Sequence, residues 1–186
     1  MAATFLKAKS YKVGVSLIEA DRLDTARGLM EKAARNGVHL LLPVDVLVTD
    51  EISAEAKGKV VSCESISSRQ RIVDIGPQTS KNFYEELRRC KTIFWNGPMG
   101  IYEIAQFAEG TRAMAKLLAN LMAATIIGGG STAEIVTNMG LADKMTFVST
   151  GGGATLAFLG GQTLPGVEAL LAKDALAMGK LKGLTP

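Results

Sequence analysis

The sequence predicts an α/β fold, with helices on both faces of a doubly wound, mostly parallel sheet in three layers. Three observations predict it. Apolar runs of strand length alternate with stretches of helical period along the chain. Several of those runs end in glycine-rich turns that lead into the next helical stretch. The composition is that of an ordinary globular domain, with 47% hydrophobic and 21% charged residues.

Taken in order, Met1 to Leu6 reads as the interior of a helix. Asp21 to Asn36 places Leu23, Ala26, Leu29, Met30 and Ala33 at helical spacing, and Gly37 is a good stop. Val38 to Leu42 is a short apolar run ending at Pro43, which predicts a buried strand. Val44 to Thr49 and Lys59 to Cys63 read as further strands. Gly76-Pro77 opens a helix reaching about Cys90, because proline suits a first helical position. Thr92 to Trp95 is a strand. Ala105 to Ala123 is a helix with Ala113, Leu117, Leu118 and Leu121 inward. Thr125 to Ile127, Thr132 to Met139, Thr146 to Ser149 and Gly153 to Leu159 then alternate strand, helix, strand, helix. Strands separated by helices pair in parallel.

With 186 residues the chain is one domain, or one domain with an appendage. Its balance of 21 basic and 18 acidic residues, net +3, is too mild for a nucleic-acid or membrane-surface partner. No apolar run has the length of a membrane span, and no secretory signal opens the chain. Cys63 and Cys90 have no metal spacing and read as reduced thiols of a cytoplasmic protein.

The stretch Phe94-Trp95-Asn96-Gly97-Pro98-Met99-Gly100-Ile101-Tyr102-Glu103 is the most informative. A strand breaks into a loop where Gly97 and Gly100 permit close backbone approach and Pro98 stiffens the turn. Such loops at strand carboxyl ends bind ligands in α/β folds. Glu103 could accept two hydrogen bonds from a sugar diol. A tight strand-to-helix turn with no ligand is the plainer reading.

Thr125-Ile126-Ile127 runs into Gly128-Gly129-Gly130-Ser131-Thr132-Ala133-Glu134. The free N–H groups and dipole at that helix start favour an anion, such as a nucleotide phosphate. The plainer reading, which can coexist with it, is a capping box made by Ser131 and Glu134. Ser149-Thr150-Gly151-Gly152-Gly153 repeats the design one strand later, and the two turns side by side would make one anion-binding rim. No Gly-x-x-x-x-Gly-Lys-Ser/Thr motif is present. Gly128, Gly130 and Ala133 fit the looser dinucleotide variant, but the strand after them ends at Ser149 without the acid a dinucleotide ribose needs.

His39 begins an apolar strand and reads as a satisfied core or edge residue, with no nucleophile elbow to make a triad. Asp45 and Asp50 lie near a strand end, where a metal role has little support. Lys7, Lys9 and Lys12 read as a solvated face.

Trp95-Asn96-Gly97-Pro98-Met99-Gly100 resembles the signature loop of phosphoglycerate kinases. Five more stretches resemble that family in the right order: Leu42-Pro43-Val44-Asp45, Asp74-Ile75-Gly76-Pro77, Ile126 to Gly130, Ser149 to Ala154, and Leu164-Pro165-Gly166-Val167. The resemblance runs from Met1 to about Leu170 and implies the Rossmann-like, nucleotide-binding C-terminal lobe, here without its opening. That gives a partial lobe over 1–166 and a helical tail over 167–186, with Val167, Leu170, Leu171, Met178 and Leu181 at helical spacing. The family transfers a phosphoryl group reversibly between 1,3-bisphosphoglycerate and ADP in glycolysis, with Mg²⁺. The resemblance implies that Glu103 bonds the ribose, that Asn96, Pro98, Gly100 and Ile101 line the nucleotide site, and that Leu17 and Val73 flank the adenine. Gly129, Gly130, Ser131 and Thr132 would lie at the phosphates. Gly128, Gly129, Gly130, Gly151 and Gly152 would stabilise the transferred phosphoryl group through backbone N–H groups.

Two positions depart from the family. Ser131 stands where it usually has an Asp that helps hold magnesium, and a hydroxyl is a weaker ligand. Ile72 stands where it commonly has Gly against the adenine. Phosphoglycerate itself is expected on the other lobe, so this chain alone is expected to be inactive, and the full-length protein to be a cytoplasmic monomer. A non-catalytic module without nucleotide affinity and an NAD-binding oxidoreductase domain are the alternative readings.

Overall fold

A computed structural model describes residues 1–171. It contains two three-stranded sheets, each with its own core. The second sheet is parallel, as expected: β4 (Thr92–Asn96), β5 (Ala124–Gly128) and β6 (Phe147–Ser149) lie side by side in that order. Helices α4 (Glu109–Leu118) and α5 (Gly130–Asn138) connect them, and α6 (Gly152–Leu159) follows β6. The core of this sheet gathers Ile93, Trp95 and Ile127 from the strands, Met114, Ala115 and Leu118 from α4, and Ile135 and Val136 from α5.

The first sheet departs from expectation. β1 (Asp45–Thr49) is central and pairs antiparallel with both β2 (Lys59–Ser62) and β3 (Arg71–Ile75). The intervening residues 50–58 and 63–70 hold no helix. A parallel crossover needs a dozen or more residues, so connections this short return antiparallel. Leu6, Val13, Val46, Val48, Cys63 and Ile66 form the core here, with α1 (Ala2–Ala8) supplying Leu6.

Val38 to Leu42 is not a strand. Residues 38–43 run without regular structure, with Val38, Leu40 and Leu41 exposed. Among the described residues no strand lies beside them, and an apolar run becomes a strand only when a neighbour takes its backbone groups. Together with α2 (Leu23–Arg35), this segment lines a cavity of about 650 Å³. Of the helix's expected inward positions only Ala26 is buried, and Leu29 is exposed.

The strand β3 was not expected, and the remaining elements fall within a few residues of expectation. The long helix expected over Ala105 to Ala123 divides into a 3-10 turn, Ala105–Phe107, and α4. Its buried face is Thr111, Met114, Ala115 and Leu118, whereas Ala113 is exposed. Residues 165–171 are helical, so that helix crosses the expected boundary at 166, and the rest of the tail lies outside the described residues.

Two helices join the sheets. α3 (Pro77–Leu87) packs on β1 and on α4, and α4 packs on β3 while filling the core of the parallel sheet. Asp45 starts α3 from a distance: its carboxylate accepts the Gln78 N–H at 3.0 Å and the Thr79 N–H at 2.7 Å. A carboxylate at a helix start satisfies orphan donors and favours the dipole.

Candidate functional site at the parallel strand ends

Parallel strands send their following loops out at one edge. Asn96 lies opposite Gly128, and Gly128 opposite Ser149, so the three glycine-bearing segments leave the sheet at the same level. Gly129, at φ 94°, precedes α5 as its N-cap, and Gly151 does the same for α6. The two turns touch. A Cβ on Gly152 would stand 3.0 Å from the Gly129 Cα, and one on Gly129 would stand 3.1 Å from the Asn96 Oδ1. Asn96 sits between them and donates from Nδ2 to the Gly152 carbonyl at 3.3 Å. Neither helix has an acid in its first turn, so both positive ends stay uncompensated there.

The expected capping box does not form. α5 begins at Gly130, one residue before Ser131, and no side chain caps it. Ser131 and Gly130 are exposed on the rim instead. Thr132 is 1% exposed, and its hydroxyl accepts the Gly97 N–H at 2.8 Å, so that side chain supports the loop from beneath. Gly128 has a packing reason to be glycine: a Cβ there would lie 2.5 Å from the Phe94 ring.

The loop after β4 is fastened along its length. Met99 and Gly100 donate their N–H groups to the Thr111 hydroxyl of α4 at 3.0 and 3.3 Å. Ile101 donates its N–H to the Val73 carbonyl of β3 at 2.9 Å. Glu103 and Pro98 remain exposed, with Gly100 and Ile101 half-buried. Val73 is 2% exposed, so only its backbone is available to the loop. Leu17 is 93% exposed and is no core residue; Ser16 beside it accepts the Ile72 N–H at 2.9 Å, which seats this segment at the start of β3.

Asn96, Gly129, Gly151, Gly152 and Thr132 thus come together, while Ile72 and Val73 lie in β3 of the antiparallel sheet and Leu17 lies in the irregular segment that Ser16 ties to it. The sequence reading missed Thr111 and Asp74. Nothing local marks Thr111, since its partners lie in a preceding loop. Asp74 is buried, and that burial raises its carboxyl to about 6, opposed by hydrogen bonds from the Gly110 and Ile75 N–H groups. Burial likewise raises the Cys63 thiol to about 11, which makes it a poor nucleophile. His39 is neither core nor catalytic in placement: its side chain is exposed, 3.8 Å from Glu86. Asp45 serves α3 rather than a metal. Among the described residues no three His, Cys, Asp or Glu side chains gather to hold an ion. None of the helices there is long and apolar enough to cross a membrane.

The family model described as phosphoglycerate kinase matches residues 1–162. A phosphoglycerate kinase of Roseiflexus sp. (strain RS-1) is 50% identical over 170 residues, covering 91% of this chain and 43% of that protein. One of Synechococcus sp. (strain JA-3-3Ab) is 51% identical over 173 residues, with 91% and 42% covered. The solved phosphoglycerate kinase of Coxiella burnetii superposes with a TM-score of 0.85 at 46% identity, over 90% of this chain and 43% of that one. That of Pyrococcus horikoshii OT3 gives 0.77 at 28% identity, over 91% and 43%. The chain spans less than half the length of these relatives. On the extent of these matches, the chain belongs to the phosphoglycerate kinase family.

Proposed function

We propose that this chain supplies the nucleotide side of reversible phosphoryl transfer between 1,3-bisphosphoglycerate and ADP, giving 3-phosphoglycerate and ATP in glycolysis. The observation that carries the reading is the contact of the Gly129 and Gly152 turns, bridged by Asn96, at the aligned ends of three parallel strands.

In this reading the N–H groups at the starts of α5 and α6 face the nucleotide phosphates and the phosphoryl group in transit. Preorganised backbone donors of this kind stabilise developing charge without reorganising. The absence of Cβ atoms at Gly129 and Gly152 lets both turns approach the same oxygens. Glu103 accepts the ribose hydroxyls, Asn96, Pro98, Gly100 and Ile101 line the nucleotide, and Leu17 covers the adenine. Leu17's exposure suits an apolar partner that arrives with the ligand.

The family uses Mg²⁺, but this rim does not fit a protein-held magnesium. Position 131 bears a hydroxyl, and among the described residues no carboxylate cluster exists. Any metal would therefore be carried by the nucleotide phosphates. The same serine favours a second reading, a family relic that no longer binds nucleotide.

The glycerate substrate is assigned to the part of the relatives that this chain does not match. The chain alone should bind ADP yet transfer no phosphoryl group, because lobe closure brings the two substrates together. Its setting is the cytoplasm, with no nucleic-acid or membrane partner and a monomeric full-length enzyme. Titrating ADP, and NAD as competitor, into the purified chain tests the site. ADP binding that NAD does not displace supports it. Formation of ATP from 1,3-bisphosphoglycerate by the chain alone would overturn the division of labour.

A further inference from the structure

Asp74 lies where β3, the loop after β4 and the first turn of α4 meet. It is 1% exposed. Its Oδ2 accepts the Gly110 N–H of α4 at 2.7 Å, and its Oδ1 accepts the Ile75 N–H at 2.8 Å. The loop presses on the same carboxylate: a Cβ on Gly100 would stand 2.5 Å from Oδ1. Immediately around it, three consecutive loop amides are held by the same two elements. Met99 and Gly100 donate to Thr111, the residue after Gly110, and Ile101 donates to Val73, the residue before Asp74.

A carboxylate that accepts from two backbone N–H groups makes charge-assisted bonds. Protonation converts one oxygen into a hydroxyl and leaves one buried N–H with a poorer acceptor. No cation among the described residues pairs with Asp74. The charges bearing on it are Glu109 and Arg112 of α4, which pair with each other at 2.7 Å, and β1 and the loop bring none that shifts it.

We propose that Asp74 is a positioning residue whose ionised carboxylate holds the loop from Asn96 to Glu103 in nucleotide-receiving geometry by locking α4 to β3. This rests on the reading of the rim as a nucleotide site. Asp74 touches no substrate in this role; it acts through Gly110, Thr111 and Gly100. Nucleotide affinity should fall as Asp74 takes up its proton.

The test is amide NMR of the whole chain between pH 5 and 7.5, with ADP affinity measured at both ends for the wild type and Asp74→Asn. The expected result is a common titration of the Met99, Gly100, Ile101 and Gly110 amides with a midpoint near 6, absent in Asp74→Asn. Asp74→Asn should weaken ADP about tenfold at pH 7.5, the size of one lost hydrogen bond. At pH 5, a full unit below that midpoint, it should come within about twofold of the wild type, which separates the effect from titration of ADP itself. Flat loop amides in the wild type, or the same titration in the variant, would overturn the proposal. The wild-type titration decides even if the variant does not fold. Amides that titrate in a chain that binds no ADP would leave the attachment standing and remove the nucleotide reading.

Discussion

Gly152 and Gly129 meet backbone to backbone, with a Cβ on the former 3.0 Å from the Cα of the latter. This contact closes the rim between α5 and α6. At Gly129, with φ 94° and ψ 142°, a side chain would also be strained. Gly129→Ala is expected to destabilise the chain by about 1–2 kcal/mol and abolish ADP binding. Urea unfolding and calorimetric titration check the two effects separately. A variant of native stability and native affinity would show the contact to be dispensable.

Asp45 caps α3 across 34 residues of sequence, through the N–H and hydroxyl of Thr79. Asp45→Ala removes that acceptor from a helix that packs on both β1 and α4. The expected loss is about 1–2 kcal/mol, within the range of N-cap deletions. It should appear as a lower thermal midpoint, with the ADP affinity of the remaining folded chain unchanged.

Ser131 is exposed in the first turn of α5. Ser131→Asp would place a carboxylate at the rim, next to the positive helix end and any phosphate-bound cation. The expected outcome is an ADP affinity that rises with Mg²⁺ by about tenfold more than in the wild type. Equal magnesium dependence in the two proteins would place position 131 away from the metal.

Burial sets the sign of the Asp74 contribution to stability. Its folded value, about 6, lies above the ordinary 3.8, so the folded chain holds the proton more tightly. This contribution is fully present below about pH 3.8 and is lost as the pH rises through 6. The difference in unfolding free energy between wild type and Asp74→Asn should therefore move against the wild type between pH 4 and 7, followed by urea titration at each pH. A carboxylate that weakens the fold at neutral pH while fastening a loop is a common compromise at working sites.

The parallel sheet and its rim were legible because their determinants are local. Each strand of the parallel sheet is a short apolar run, and the glycines after β5 and β6 stand where the backbone must turn. Other features depended on neighbours distant in sequence. Val38 to Leu42 has the composition of a strand but lacks a partner among the described residues. The antiparallel first sheet was signalled by its short connections, which were too brief for a crossover helix. Ser131 and Glu134 have the spacing of a capping box, yet the helix takes Gly129 as its N-cap and so starts two residues earlier than that box requires. Asp74 stands in a family-like stretch and Thr111 in none, but no local signal gives either a role; they matter because the fold brings Gly100 and Gly110 to Asp74 and the Met99 and Gly100 amides to Thr111.

The most direct test of the nucleotide reading is a two-dimensional amide NMR spectrum of this chain titrated with ADP. The expected result is a dispersed spectrum in which Gly97, Gly100, Glu103, Gly129 to Thr132, Gly151 and Gly152 shift together and saturate. A dispersed spectrum in which these amides stay still at millimolar ADP would contradict it.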